Sequence, residues 1–152
     1  MRKRPTRIVS IDFGLARIGM AVSDERKIIA MPLPTIKADK KLEQTAQKIA
    51  AELVAIAEKG GYDIEEIVVG LPLKMDGQIG LMADEVHQFV DMLRQSIGVP
   101  IVLWDERLTS VMAERSMRES NMTRKQRAKN VDRVAAVIIL QNYLDSKSSQ
   151  WT

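Results

Sequence analysis

The stretch Ile8-Val9-Ser10-Ile11-Asp12-Phe13-Gly14, followed at once by Arg17-Ile18-Gly19-Met20-Ala21-Val22-Ser23, decides the fold class. Ile8, Val9 and Ile11 are strand-formers, and Gly14 ends the run, which predicts a buried strand over residues 8–13. Residues 17–23 alternate well enough for a second strand, close enough to the first to make a hairpin. Residues 27–32 predict a third, ended by Pro32 and Pro34. Three strands joined this tightly should be antiparallel.

Beyond this meander the hydrophobic period changes. Leu42, Ala46, Ile49, Leu53 and Ile56 recur at spacings of four and three, an amphipathic helix stopped by Gly60-Gly61. Glu66 to Gly70 (EIVVG) predicts a short buried strand. Leu71 to Gly80 is a Gly- and Pro-rich loop. Met82, Val86, Phe89, Val90, Leu93 and Ile97 mark a second helix, and residues 101–105 (IVLWD) the last strand. The remainder is expected to be helical in three pieces. The first starts at Thr109 or Ser110 and runs to about Glu119. A short basic helix follows, opened by a Thr123/Gln126 capping box. The last covers residues 131–144 and is apolar around most of its girth. Helix-linked strands should be parallel. The expectation is an α/β protein with a mixed five-stranded sheet, helices on both faces, and a single domain over residues 1–152.

Composition narrows the function. The chain has 152 residues, an apolar fraction of 45 % and a net charge of +3, an ordinary globular make-up for one core. With no cysteine, disulfides, thiolate metal sites and thiol nucleophiles are excluded. Two each of Trp, Tyr and Phe leave few rings on which unpaired bases could stack. Met1 to Arg7 is basic like the start of an export signal, but Asp12 breaks the apolar stretch behind it. No run nears the roughly 20 apolar residues of a membrane span. No membrane association and a cytoplasmic location are expected. Charge is unevenly spread: Arg115, Arg118, Arg124, Lys125, Arg127, Lys129 and Arg133 stand close together, and Arg2, Lys3, Arg4 and Arg7 form a basic arm. Such patches attract polyanions, although charge alone fits solvated helix faces equally well.

Three carboxylates sit where a purely structural protein avoids them. Asp12 lies in an apolar strand, Glu106 directly follows the last strand, and Asp132 interrupts the start of an apolar helix. A buried carboxylate is costly unless paired or metal-bound. If the strands carrying Asp12 and Glu106 are parallel neighbours, both acids lie at the sheet edge where open α/β folds bind ligands. Converging carboxylates are hard oxygen donors of the kind Mg²⁺ or Mn²⁺ takes. Each has a plainer alternative: a hairpin-end residue for Asp12, an ion pair with Arg107 or Arg133 for Glu106, a helix N-cap for Asp132. Asp24 and Asp76 read as turn residues, His87 as a residue of a polar helix face, and Asp105 as pointing away from Glu106. The nine methionines suit core filling.

These residues resemble a known family. Ile11-Asp12-Phe13-Gly14-Leu15-Ala16-Arg17-Ile18-Gly19-Met20-Ala21-Val22-Ser23-Asp24 is similar to the opening motif of the YqgF family. The resemblance continues through Val69-Gly70-Leu71-Pro72-Leu73, Asp76-Gly77 and Asp105-Glu106-Arg107-Leu108-Thr109, and closes with Val131-Asp132, Ala135-Ala136 and Ile139-Leu140-Gln141. Members are described as Holliday junction resolvases or pre-16S ribosomal RNA nucleases. Leu15-Ala16 departs from a pattern that often has a small polar residue and Lys there.

The resemblance implies a ribonuclease H-like fold and a nuclease using Mg²⁺ or Mn²⁺, with Asp12, Glu106 and Asp132 as catalytic metal ligands. It makes precursor rRNA the first expected substrate and branched DNA the second, with a monomer or weak homodimer as the acting species. Arg17, Lys74, Arg107, Arg124, Lys125, Arg127 and Lys129 are the expected nucleic-acid contacts. Two rival classes remain at this point. A sugar-kinase-like ATPase shares the core fold but needs a second such domain. A non-catalytic ribosome-assembly module would keep the basic patch and leave the carboxylates without purpose.

Overall fold

The computed structural model describes residues 4–14, 16–71, 81–105 and 124–148, the side chains of 81–83, 124–134 and 148 excepted. Its strands are β1 (Thr6–Asp12), β2 (Arg17–Ser23), β3 (Ala30–Lys37), β4 (Asp63–Leu71) and β5 (Ile101–Asp105), and its helices α1 (Leu42–Gly60), α2 (Leu81–Ser96) and α3 (Arg124–Ser148). They form one five-stranded sheet in the order β3-β2-β1-β4-β5. β1 pairs antiparallel with β2, as β2 does with β3, while β4 runs parallel to both β1 and β5. The expected mixed sheet is therefore present.

Side-chain alternation sorts the sheet into two faces. Val9 and Ile11 of β1, with Phe13 just after it, join Ile67 and Val69 of β4 and the inner sides of α1 and α2 in one core. Phe13 stacks on Phe89 of α2 with ring centroids 4.8 Å apart. Ile8, Ala21 and Val68 face the other way, against Ala136, Ile139, Leu140, Tyr143 and Leu144 of α3. Ser10, fully buried on this second face, donates its hydroxyl to the carbonyl of Ala136 at 2.7 Å. The small side chains of Ser10, Ala21 and Ala136 let α3 lie close to the sheet.

Three expectations need correction. β3 does not stop at Pro32 but runs through Pro32 and Pro34 to Lys37. As an edge strand it can tolerate residues without an N–H, because donors on the open side have no ladder partner to lose. β4 begins three residues earlier than expected, because its first half carries acids on its outer positions. Glu65 meets Lys27, and Glu66 meets Lys147, so tertiary partners override poor strand propensity. The basic and apolar helical pieces are one helix, Arg124–Ser148. Asp132 lies in its interior and is not an N-cap. The helix expected over about 109–119 lies outside the described residues.

The turn residue Asp24 behaves as read. Its carboxylate accepts the backbone N–H of Ile28 at 2.7 Å and of Ile29 at 2.9 Å. The Ile29 hydrogen bond, against a smaller opposing effect of burial, holds its pKa below the usual 3.8. A depressed carboxylate pKa contributes stability above the unfolded value and loses it as pH falls through the folded one. Thermal melts of Asp24→Asn should therefore lie below wild type at pH 7 and converge with it below about pH 4. A constant gap at every pH would show that the charge contributes nothing.

At the far end of α3, Tyr143 donates to Glu66 at 2.5 Å and Lys147 donates to the same oxygen at 3.0 Å. Burial, then the Glu66 hydrogen bond, raises the Tyr143 pKa. Lys147 is raised too: its hydrogen bonds to Tyr143 and Glu66 outweigh the larger single effect of burial, which lowers it. Raised values mean a contribution complete below about pH 10 and lost as pH climbs through the folded values. Tyr143→Phe should destabilise the protein by about 1–2 kcal/mol, read as a shift in urea midpoint. An unchanged midpoint at pH 7, or a gap that does not narrow as pH rises above about 10, would remove this role.

Candidate active site

β1, β4 and β5 are parallel, so their carboxyl ends share one edge of the sheet, where Asp12 and Asp105 are the last strand residues. The sequence reading made the shared edge conditional on the strands before Asp12 and Glu106 being parallel neighbours; β1 and β5 run parallel but are not neighbours. β4 lies between them, which sets the two strands about 10 Å apart.

Asp12 is half-buried and, two residues from Ser10, belongs to the α3 face. On the two neighbouring strands the positions beside it on that face are glycines. Gly19 stands directly opposite on β2. One step beyond the Ile11–Val69 pair, β4 presents Gly70. Both glycines are buried. Beyond Gly70 comes Trp104 of β5, whose ring meets that of Tyr143 edge to face with centroids 5.2 Å apart.

The turn after Asp12 is tight. A Cβ on Gly14 would stand 2.4 Å from the Arg17 carbonyl oxygen, so only glycine lets the chain turn from Asp12 into β2. Arg17 opens β2 two residues before Gly19, on the face of Asp12, and pairs across the ladder with Lys37 of β3. Lys37 escaped the sequence reading because β3 was expected to end before it. A strand continuing past Pro34 with the alternation of Thr35, Ile36 and Lys37 was the available signal.

α3 runs antiparallel to β1. Tyr143 reaches Glu66, the register partner of Ile8, whereas Ala136 meets Ser10 farther along β1. Asp132 sits on this helix one turn before Ala136. The backbones of Arg124, Lys125, Arg127 and Lys129 occupy the first turns of the same helix. Side chains of these five, like Glu106, Lys74, Arg107 and Asp76 altogether, lie outside the described residues. Among the described residues no three His, Asp or Glu side chains gather as a metal set, Asp12 being the one triad member whose side chain is described. Trp104 on the α3 face and Leu103 on the other assign Asp105 to the α1–α2 face by alternation; its orientation relative to Glu106 lies outside the described residues. His87 is exposed, also as expected. Among the described residues no helix is long and apolar enough to cross a membrane.

The sequence matches the RuvX family, described as Holliday junction resolvase, over residues 6–146. The chain belongs to the RuvX family. RuvX is the YqgF family of the sequence reading. A relative from Protochlamydia amoebophila, named "Putative pre-16S rRNA nuclease", is 57 % identical over 146 residues, covering 96 % of this chain and 97 % of its own. Another of the same name from Roseiflexus is 45 % identical over 147 residues, covering 97 % and 99 %. Among solved structures, RuvC of Thermus thermophilus superposes with a TM-score of 0.53 at 14 % identity, covering 94 % of this chain and 96 % of that one. The fowlpox virus Holliday junction resolvase gives 0.51 at 11 %, covering 92 % and 98 %. At these identities the likeness is one of fold: the RuvX chain has the α/β architecture of RuvC-like nucleases.

Proposed function

We propose that this RuvX nuclease is a divalent-metal-dependent endonuclease that hydrolyses phosphodiester bonds in structured nucleic acid, with the 5′ end of precursor 16S rRNA in the cytoplasm as its substrate. The observation carrying this reading is Asp12. A half-buried carboxylate at the carboxyl edge of the central strand, with a glycine on either side, is well placed to be an oxygen ligand.

Two placements support the rest of the triad. From Ser10 to Asp12 the strand advances about 6.6 Å, and from Ala136 back to Asp132 the helix advances about 6 Å. The turn bearing Asp132 is thereby brought to the level of Asp12. Glu106 follows Asp105; if the alternation of β5 continues by one residue, Glu106 takes the α3 face, across Gly70 from Asp12. Three carboxylates grouped about Gly19 and Gly70 suit Mg²⁺ or Mn²⁺, which take oxygen donors.

Ions bound there supply a nucleophilic water at neutral pH and neutralise charge on the leaving oxygen. The chain's own part is to hold three charges close together and position the phosphate backbone. Arg17 lies beside the site on the Asp12 face. The cations of the first turns of α3, Arg124, Lys125, Arg127 and Lys129, are proposed to position the substrate from the other side, with Lys74 and Arg107 as further contacts.

Resolution of a Holliday junction is the second reading, favoured by the family's description. It requires two symmetric cuts and hence a two-site dimer. Purified protein should cut a labelled precursor-rRNA fragment in Mg²⁺ as a monomer and leave a four-way DNA junction largely intact. The reverse preference, from a dimer, would replace the first reading by the second. Binding without metal-dependent cutting of either would leave only a non-catalytic assembly module.

A further inference from the structure

At the edge of the sheet nearest β2 and β3 lies a cation cluster that the triad does not use. Arg17 and Lys37 are directly opposed in the β2–β3 ladder. Arg17 shares its face with Asp12 through Gly19, and Lys37, next to the inward-facing Ile36, shares it too. The ladder fixes this pair: Ala38 donates its N–H to the Ala16 carbonyl at 2.9 Å, just beyond it, and Lys48 donates to the Lys37 carbonyl at 3.1 Å.

Lys40 and Lys41 follow at the entry to α1, both exposed, like Lys37. Among the described residues no carboxylate pairs with Lys37, Lys40 or Lys41. The nearby acids are Asp39, held by Lys48 at 3.8 Å, and Glu43 in the first turn of α1. Lys41, the N-cap position of α1, makes no side-chain cap, so the positive end of the helix adds to the same field.

We propose that Lys37, Lys40 and Lys41, continuing from Arg17, form a phosphate-backbone track that carries one arm of a nucleic-acid substrate away from Asp12 across the β3 edge. This rests on the nuclease reading above. The strand of Lys37 lies two strand spacings, about 10 Å, from that of Asp12, within reach of a short run of nucleotides. With the basic first turns of α3 on the other side, the scissile bond is held between two arms, which suits a branched or stem-flanked substrate better than a plain single strand.

The test is equilibrium binding of a labelled RNA stem with single-stranded flanks, in EDTA so that nothing is cut, over a range of salt. The combined Lys37→Gln, Lys40→Gln, Lys41→Gln variant should bind about tenfold or more weaker and reduce the slope of log K against log salt by about two to three. Arg at the same three positions should restore both. Unchanged affinity and slope in the Gln variant, with the wild type binding, would overturn the track and leave the nuclease standing. A wild type that binds through these lysines but never cuts would sink the nuclease and leave the track. A wild type that binds no nucleic acid would end both.

Discussion

Asp12→Asn is expected to abolish metal-dependent cleavage while leaving the fold intact. Asn keeps the shape of the side chain and removes the charge that holds the ions. A bound metal stabilises several kcal/mol of developing charge, and about 4 kcal/mol corresponds to a roughly thousandfold loss of rate. Stability should move the other way or not at all. In the proposed site, three close carboxylates would repel one another without metal, so removing one charge should leave Tm unchanged or raise it. Mg²⁺ should stabilise the wild type by mass action and stabilise the variant much less. Melts with and without Mg²⁺, beside a cleavage assay with an EDTA control, read all three. A variant that cuts at the wild-type rate would remove Asp12 from the site, and a variant that unfolds while the residual native fraction still cuts would make it a structural residue.

Gly14→Ala should damage both fold and function. Its Cβ would meet the Arg17 carbonyl oxygen at 2.4 Å. That atom is backbone and starts β2, so it cannot swing aside as a side chain would. Overpacking of this kind costs about 1–3 kcal/mol, which for a chain of this size lowers Tm by about 2–12 °C. The turn joins Asp12 to Arg17, so the relief must displace one of them, and misplacement by about 1 Å can cost a hundredfold in rate. Gly98→Ala is the matching control, because a Cβ there meets nothing within 4 Å. It should leave activity and Tm nearly unchanged. Full activity in Gly14→Ala would show that the turn has slack and that the geometry around Asp12 is tolerant.

Much of this molecule could be read from residues near one another in the chain. The apolar run ending in Asp12, the 17–23 strand, and the four-three spacing from Leu42 to Gly60 are local patterns, and all three elements formed as expected. Asp12 was legible because an acid in an apolar run is energetically conspicuous, and the same logic singled out Glu106 and Asp132. The tertiary structure decided matters that no local pattern carries. It placed β4 between β1 and β5, so the two acid-bearing strands stand about two spacings apart and not side by side. It carried β3 through two prolines, since an edge strand has open-side donors to spare, and so set Lys37 against Arg17. It joined the basic and apolar segments into one helix, because burial of its second half against the sheet outweighs the local capping signal at Asp132. It flanked Asp12 with Gly19 and Gly70, residues that are close only through strand pairing. Side-chain periodicity and the cost of a misplaced charge are written into neighbouring residues. Which strand lies beside which depends on contacts between residues tens of positions apart, and only the folded chain brings those together.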